Sequence, residues 1–141
     1  MNWKYLMPII AILTVGSLYL MMDTDNSDAA TGQYTDGDWT FNTYGNNYAV
    51  IYSNTASNIT ALNIPSTVTA NGNTYTVTIV GSGGTSSSGP VVQNSQLASG
   101  CTLTIPNTVT KIDRYAFSSC SNLTGNLVIP DSVTTMGERA F

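Results

Sequence analysis

A pattern of eight residues that occurs three times constrains the fold of this chain more than any other feature. Residues 62–69, 103–110 and 127–134 each read Leu-x-Ile-Pro-[Ser/Asn/Asp]-[Ser/Thr]-Val-Thr. The second and third copies lie 24 residues apart, and the match continues to an Ala-Phe pair that follows each of them. Self-similarity at a fixed period of this length predicts a solenoid, in which each repeat forms one coil and neighbouring coils share a core.

Each repeat has the side chains that one coil of a solenoid needs. Leu103 and Ile105 stand two positions apart, so both point to the same face of a short strand. Pro106 has no N–H for a β-ladder and ends that strand. Further apolar positions complete the inward row, namely Val109, Ile112, Ala116, Phe117, Cys120 and Leu123. We therefore predict a mainly β solenoid of 24-residue units over residues 62–141, with an incomplete last unit.

The full repeat unit resembles a known family. Residues 105–123 read I-P-x-[ST]-V-T-x-I-x-x-x-A-F-S-x-C-x-x-L, which is similar to the BspA-type leucine-rich repeats of bacterial and some protozoan surface proteins. Residues 127–141 match most of a second unit, and the resemblance as a whole covers about residues 48–141. It implies a leucine-rich-repeat solenoid that adheres to host or neighbouring-cell surfaces.

Turn signals before the regular repeats predict β-hairpins. The dipeptide Asn71-Gly72 follows the first copy and favours a tight hairpin turn, and residues 81–89 then form a flexible run in place of the Ala-Phe pair. In residues 34–61, aromatic and polar side chains alternate around Gly37 and Gly45. We predict that residues 34–61 form a β-hairpin region that caps the open end of the solenoid.

The first 22 residues predict a membrane segment. The stretch from Leu6 to Met22 carries no charge, and residues 3–22 together reach about the twenty residues that cross a bilayer. Lys4 precedes the stretch and Asp23 follows it, so the positive-inside rule places the rest of the chain outside the cytoplasm.

Two interpretations of this segment remain open. Residues 1–22 form either an uncleaved transmembrane signal anchor, which binds the chain to the membrane through residues 3–22, or a signal peptide that is cleaved to give a secreted protein. In both cases residues 23–33 are a polar linker, and the repeats are extracytoplasmic.

Composition argues against catalysis and against nucleic-acid binding. The net charge is −4, and the four Lys and Arg residues are scattered, whereas nucleic-acid binding needs clustered basic residues. The chain has no His, so the commonest general base and transition-metal ligand are both missing. We therefore expect no enzymatic activity, no catalytic, cofactor-binding or metal-binding site, and no nucleic-acid partner.

The 24-residue spacing also bears on the two cysteines. Cys101 and Cys120 permit one disulfide in an oxidising compartment. On this spacing Cys120 lies above Gln96, which is five residues before Cys101. That offset is poor geometry for a disulfide bond, but the sequence leaves the pairing open. The same spacing predicts two exposed side-chain pairs between coils, Arg114 with Glu138 and Tyr115 with Arg139.

Our main functional hypothesis is a non-enzymatic binding or adhesion module that presents the solenoid to a protein or glycan ligand at a cell surface or matrix. We expect its contact face to comprise the outward strand positions Thr102, Thr104, Asn126 and Val128. Two alternatives remain: a structural stalk or spacer, and a β-rich carbohydrate-binding module at residues 34–61, whose aromatic side chains would stack on sugars.

The last coil is expected to expose apolar side chains. Phe141 matches Phe117, and the segment that corresponds to residues 118–123 has no counterpart after it. Met136, Ala140 and Phe141 are then expected to lie open. We predict marginal stability or self-association through this open C-terminal coil, because an uncapped solenoid end frays first.

Overall fold

The structure is a computed structural model that describes residues 31–81 and 89–141. The strands are β1 (Gly32–Asp36), β2 (Trp39–Tyr44), β3 (Tyr48–Asn54), β4 (Ile59–Asn63), β5 (Thr67–Ala70), β6 (Asn73–Val80), β7 (Leu97–Thr104), β8 (Lys111–Ile112) and β9 (Thr135–Met136). Within the described residues, the helical structure is one 3-10 turn, Asn94–Gln96. The prediction of a mainly β fold is therefore confirmed.

No helix in the described part of the chain is long and apolar enough to cross a membrane. The predicted transmembrane segment, residues 1–22, and residues 23–30 of the predicted linker lie outside the described residues. Residues 82–88, which make up most of the predicted flexible run, also lie outside them.

The first three strands form an antiparallel meander. Strands β1 and β2 pair around a turn at Gly37, with φ 56°, and β2 and β3 pair around a turn at Asn47, with φ 57°. Glycine and asparagine are the residues that adopt this left-handed backbone most readily. Both hairpins lie where the turn signals predicted them.

The stacked coils share a parallel ladder that continues from this meander. Strand β3 pairs with β6, β6 with β8, and β8 with β9. Val80 aligns with Ile112, and Ile112 aligns with Met136 at the repeat spacing. Each coil therefore contributes one short strand, as a solenoid requires.

A hairpin inserted in the first coil shifts which residues join that ladder. Strands β5 and β6 pair antiparallel around Asn71 and Gly72, which have φ 51° and 76°, as predicted. Val68 therefore pairs with Tyr75 within the hairpin. The end of β6, rather than the Val-Thr of the first copy, supplies the ladder strand for the next coil.

The second sheet is formed by the Leu-x-Ile segments of two copies. Strands β4 and β7 pair in parallel, with Leu62 opposite Leu103. The third copy was expected to add a strand at residues 127–129, but these residues are not in a strand. Gly125, with φ 87°, turns the chain just before this copy.

The hydrophobic core draws side chains from both sheets. The predicted inward residues Val109, Ile112, Ala116, Phe117 and Cys120 are all buried. Ala140 is also buried, contrary to expectation, since it packs against the core cluster beside Phe117, whose N–H donates to its carbonyl. Leu127 and Met136 are 42% and 50% exposed, and Phe141 is 44% exposed.

Side-chain amides tie each coil to the one before it. The amide nitrogen of Gln96 donates to the carbonyls of Asn54 and Ala56, at 2.8 Å each. Asn122 repeats this arrangement: its amide nitrogen lies 2.9 Å from the carbonyl oxygen of Leu97 and 3.3 Å from that of Asn94. We call these two contacts the amide clamps.

The backbone register of the last two coils agrees with the predicted spacing, but the side-chain pairs do not. Tyr115 N–H donates to the carbonyl of Glu138. The guanidinium of Arg114, however, lies over the ring of Tyr115 at 5.3 Å, and Arg139 pairs with Glu138 at 3.6 Å. Tyr115 and Arg139 both have left-handed backbone, with φ 60° and 52°.

The two cysteines are buried free thiols. A strict 24-residue spacing would align Cys101 with Gly125, but it pairs with Leu123, which brings it nearer to Cys120 than predicted. The Cys120 thiol lies 3.2 Å from the carbonyl of Val92, and burial, followed by the neighbouring Cys101, raises its pKa.

Candidate functional site

The four residues predicted to form the contact face are all exposed. Thr102 and Thr104 lie on β7, whose alternate residue Cys101 is fully buried. Asn126 and Val128 lie in the next coil, outside any strand, and Val128 is 72% exposed. Gly125 brings this coil beside β7, since a Cβ atom there would lie 3.9 Å from the methyl carbon of Thr102.

Two residues that the sequence interpretation missed extend this surface. Ala61 lies opposite Thr102 and Asn63 lies opposite Thr104 in the β4–β7 ladder, and both are exposed. Ala61 and Asn63 flank Leu62 in the way that Thr102 and Thr104 flank Leu103. Alignment of the first two copies of the repeat therefore identifies them. We call these six residues the repeat face: Ala61, Asn63, Thr102, Thr104, Asn126 and Val128.

The repeat face carries no charge. Its side chains offer amide groups, hydroxyls and methyl groups. The sequence between Asp38 and Lys111 also contains no Asp, Glu, Lys or Arg. Such a surface can make hydrogen bonds and van der Waals contacts, and its contacts are insensitive to salt because no counterions are displaced.

An apolar cavity of about 370 Å³ opens to the surface at the last coils. Its lining includes Leu103, Leu123, Leu127, Phe117 and Phe141, and the last two rings are stacked with centroids 5.3 Å apart. The lining also contains hydroxyl groups and the Cys120 thiol, whose pKa burial raises. These groups suit the packing of an apolar side chain rather than proton transfer.

The aromatic residues of the first three strands divide into two sets. Phe41 is fully buried, and Trp39 and Tyr34 pack against the core, with Tyr34 6.2 Å from Phe41. Tyr44 and Tyr48 are partly exposed, and their rings stack with centroids 4.7 Å apart and planes 1° apart. Core packing therefore involves only the first of these two sets.

Two tyrosines of these strands, Tyr44 and Tyr52, have phenol groups whose pKa is raised. Burial raises the pKa of Tyr44, although a hydrogen bond from Asn42 partly offsets this effect. Burial, and then the neighbouring Tyr44, raises the pKa of Tyr52 to about 12. Both phenols therefore remain protonated donors and acceptors at neutral pH. Within residues 31–81 and 89–141, no group of three His, Cys, Asp or Glu side chains is placed to hold a metal ion.

Comparison with known proteins places the fold among leucine-rich repeats. The family model described as BspA type Leucine rich repeat region (6 copies) matches residues 94–141. The crystal structure of a leucine rich cell surface protein from Faecalibacterium prausnitzii A2-165 is similar, with a TM-score of 0.59, 29% identity and 79% of this chain covered. The present chain spans 28% of the length of that protein.

A second crystal structure has the same fold. It is of a leucine-rich repeat protein from Bacteroides capillosus ATCC 29799, with a TM-score of 0.55 and 24% identity. The match covers 74% of this chain and 86% of that one. No curated protein matches the chain.

Proposed function

Because residues 94–141 belong to the BspA type of leucine-rich repeat region, we propose that this chain is a non-enzymatic binding module whose repeat face contacts a protein partner. The observation that carries the proposal is the arrangement of β4 and β7. Their inward residues, such as Leu62 and Cys101, are buried, and their outward residues form a flat, uncharged surface. Aligned coils thus present like positions side by side, which is how solenoids build extended binding surfaces.

The proposed location is the outside of the cell. The apolar segment at residues 3–22 supports export, with either an anchored or a secreted product. The similar protein from Faecalibacterium prausnitzii is described as a cell surface protein, which supports display of this chain at the same place. The partner would then be a protein of a neighbouring cell surface or of an extracellular matrix.

The repeat face is tested by charge substitution. Replacing Thr102 and Thr104 together with lysine places two buried charges in the proposed contact, so binding of the labelled chain to intact cells and matrix-coated surfaces should fall at least about tenfold. The matched control is Thr135→Lys, an exposed threonine on β9 in the other sheet, which should leave binding unchanged. Equal binding by all three proteins would show that the repeat face is not the contact.

A stalk is the second candidate function, and a ladder of threonines supports it. The hydroxyl of Thr110 lies 3.2 Å from the carbonyl oxygen of Thr78, and that of Thr134 lies 3.4 Å from the carbonyl oxygen of Thr110. Such contacts repeat along the stack and stiffen it. Deletion of residues 111–134 should then shorten the particle in small-angle scattering while partner binding persists. Loss of binding would favour the binding module instead.

Self-association through the last coil is a further part of the proposal. The large apolar side chains that are most exposed in the described residues are Leu127, Val128, Met136 and Phe141. All four lie in the last unit, and Leu127 and Phe141 line the apolar cavity. Exposed apolar surface, such as that of Leu127 and Phe141 at this cavity, marks interaction sites in soluble proteins.

A further inference from the structure

The outer face of the first three strands carries a surface that is separate from the repeat face. Tyr44 and Tyr48 lie opposite each other across the β2–β3 turn. The alternate residues of these strands, Phe41, Thr43 and Ala49, are fully buried. Since side chains alternate between the faces of a strand, the stacked tyrosine pair lies on the face away from the core.

Tyr52 extends this surface along β3. The β2–β3 register shifts between Thr40 and Phe41, so Thr40 lies opposite Ser53, Phe41 lies opposite Ile51, and Tyr52 has no partner on β2. Such a bulge re-aims a side chain. Tyr52 is close enough to Tyr44 for the two phenols to interact electrostatically. We call Tyr44, Tyr48 and Tyr52 the tyrosine platform.

We propose that the tyrosine platform is a second binding site, which stacks on the sugar rings of an uncharged polysaccharide. A partly exposed aromatic face offers the apolar C–H surface of a pyranose a flat partner, while phenol and amide groups beside it hydrogen-bond the sugar hydroxyls. The Asn42 amide is hydrogen-bonded to Tyr44 and supplies such a group. Because residues 39–110 contain no Asp, Glu, Lys or Arg, the platform matches an electroneutral ligand.

The ring geometry favours a sugar over a proline-rich peptide. Peptides in the polyproline II conformation dock in grooves between aromatic side chains. The rings of Tyr44 and Tyr48 are in contact at 4.7 Å and nearly parallel, so no slot lies between them. Stacking covers one face of each ring, and the outer face of each partly exposed ring is the surface that stacks on a sugar ring.

The experiment is a calorimetric titration of the full 141-residue chain, in a detergent without a sugar headgroup. The probes are a β-linked glucose hexasaccharide, a mannose hexasaccharide, a heparin hexasaccharide and a proline-rich decapeptide. We expect binding of at least one neutral hexasaccharide, unchanged when NaCl is raised from about 0.05 M to about 0.5 M. Absence of binding to both neutral sugars, or binding of the heparin or peptide probe alone, overturns the proposal.

Substitutions locate the site. Tyr44→Ala with Tyr52→Ala should weaken binding about tenfold, since two stacking contacts are lost, whereas the same pair changed to Phe should retain most of the affinity because the rings remain. The control is Tyr115→Ala, a tyrosine of a later coil. Unchanged affinity in the folded alanine variant, as judged by circular dichroism, contradicts the assignment.

A measurement on the unaltered protein covers the case in which the alanine variant does not fold. A saturating neutral hexasaccharide should slow iodination of Tyr44 and Tyr52, as followed by peptide mass spectrometry, without slowing that of Tyr115. Uniform iodination rates with bound sugar would place the ligand elsewhere. The lysine substitutions in the repeat face should leave sugar binding intact, so this proposal and the proposed function can fail separately.

Discussion

At the scale of single residues, close contact between coils decides which side chains are tolerated after each ladder strand. Gly81 and Gly137 each follow a ladder strand, and their N–H groups donate to the carbonyls of Ile51 and Ile112 in the preceding coil. A Cβ atom on Gly81 would lie 2.6 Å from the Cβ of Asp113, and one on Gly137 would overlap the backbone nitrogen of Arg114. Glycine at these positions therefore lets the backbones approach.

Replacing Gly137 with alanine should destabilise the last coil. The added methyl group meets backbone atoms of Arg114, which cannot move aside as a flexible side chain can. We expect the free energy of unfolding, measured with urea, to fall by about 1–3 kcal/mol. Gly89→Ala is the matched control, because a Cβ atom there has nothing within 4 Å. Equal stability of the two variants would contradict the close contact.

Stability at high pH should depend on Tyr52. Its pKa is raised from 10.0 to about 12 in the folded chain, so the unfolded chain loses its phenolic proton first as the pH rises. The contribution of this group is therefore fully present below pH 10 and declines between about pH 10 and pH 12. Urea unfolding at several pH values should show a shallower decline for Tyr52→Phe than for the unaltered chain. Identical slopes would mean that Tyr52 is not protected by burial.

At the scale of strands and turns, the predictable elements were those with a turn signal or with a Leu-x-Ile segment beside a partner strand. The Asn71-Gly72 hairpin and the strand at Leu103 formed as the sequence indicates. The equivalent strand at residues 127–129 did not form, since Gly125, with φ 87°, turns the chain just before it. The ladder strands β8 and β9 have two residues each, and two residues carry no periodicity from which a strand can be predicted.

Of the two candidate binding surfaces, the sequence predicted part of the repeat face but not the tyrosine platform. Strand alternation predicted that Thr102 and Thr104 point outward, because Leu103 between them has the pattern of a core residue. Alternation does not say which face of a meander the rest of the chain covers. It therefore did not separate buried Phe41 from partly exposed Tyr44, and a bulge such as the one at Tyr52 has no sequence signal here.

The amide clamps should contribute measurably to the stacking of coils. Asn122→Asp removes the N–H groups that donate to Asn94 and Leu97 and places a carboxylate beside two carbonyl oxygens. We expect a loss of about 1–3 kcal/mol in the free energy of unfolding by urea. Asn126→Asp, the same change at an exposed position, serves as the control. If both variants lost equally little free energy of unfolding, the clamp at Asn122 would not contribute measurably to stacking.

At the scale of the whole molecule, the distribution of exposed apolar surface governs how this chain behaves in solution. A fragment of residues 30–141 should self-associate through Leu127, Val128 and Met136, because covering each large apolar side chain contributes roughly 1.5–3 kcal/mol. Val128→Asp with Met136→Lys should give a monomer in sizing chromatography, whereas Thr135→Lys should not.

Appending one further 24-residue unit with a polar cap should likewise give a monomer and raise the melting temperature. A monomeric fragment that gains nothing from the added unit would refute this prediction.

The β5–β6 hairpin has a consequence for how such arrays change over generations. Leu62 and Leu103 pair in the second sheet although they are 41 residues apart (103 − 62), whereas the copies at Leu103 and Leu127 are 24 residues apart (127 − 103). Part of the extra length forms the β5–β6 hairpin, and its second strand, β6, joins the parallel ladder with β8. Recombination that adds or removes codons at this point therefore preserves the architecture, so that loop length and repeat number can diverge between lineages while the core stays under constant selection.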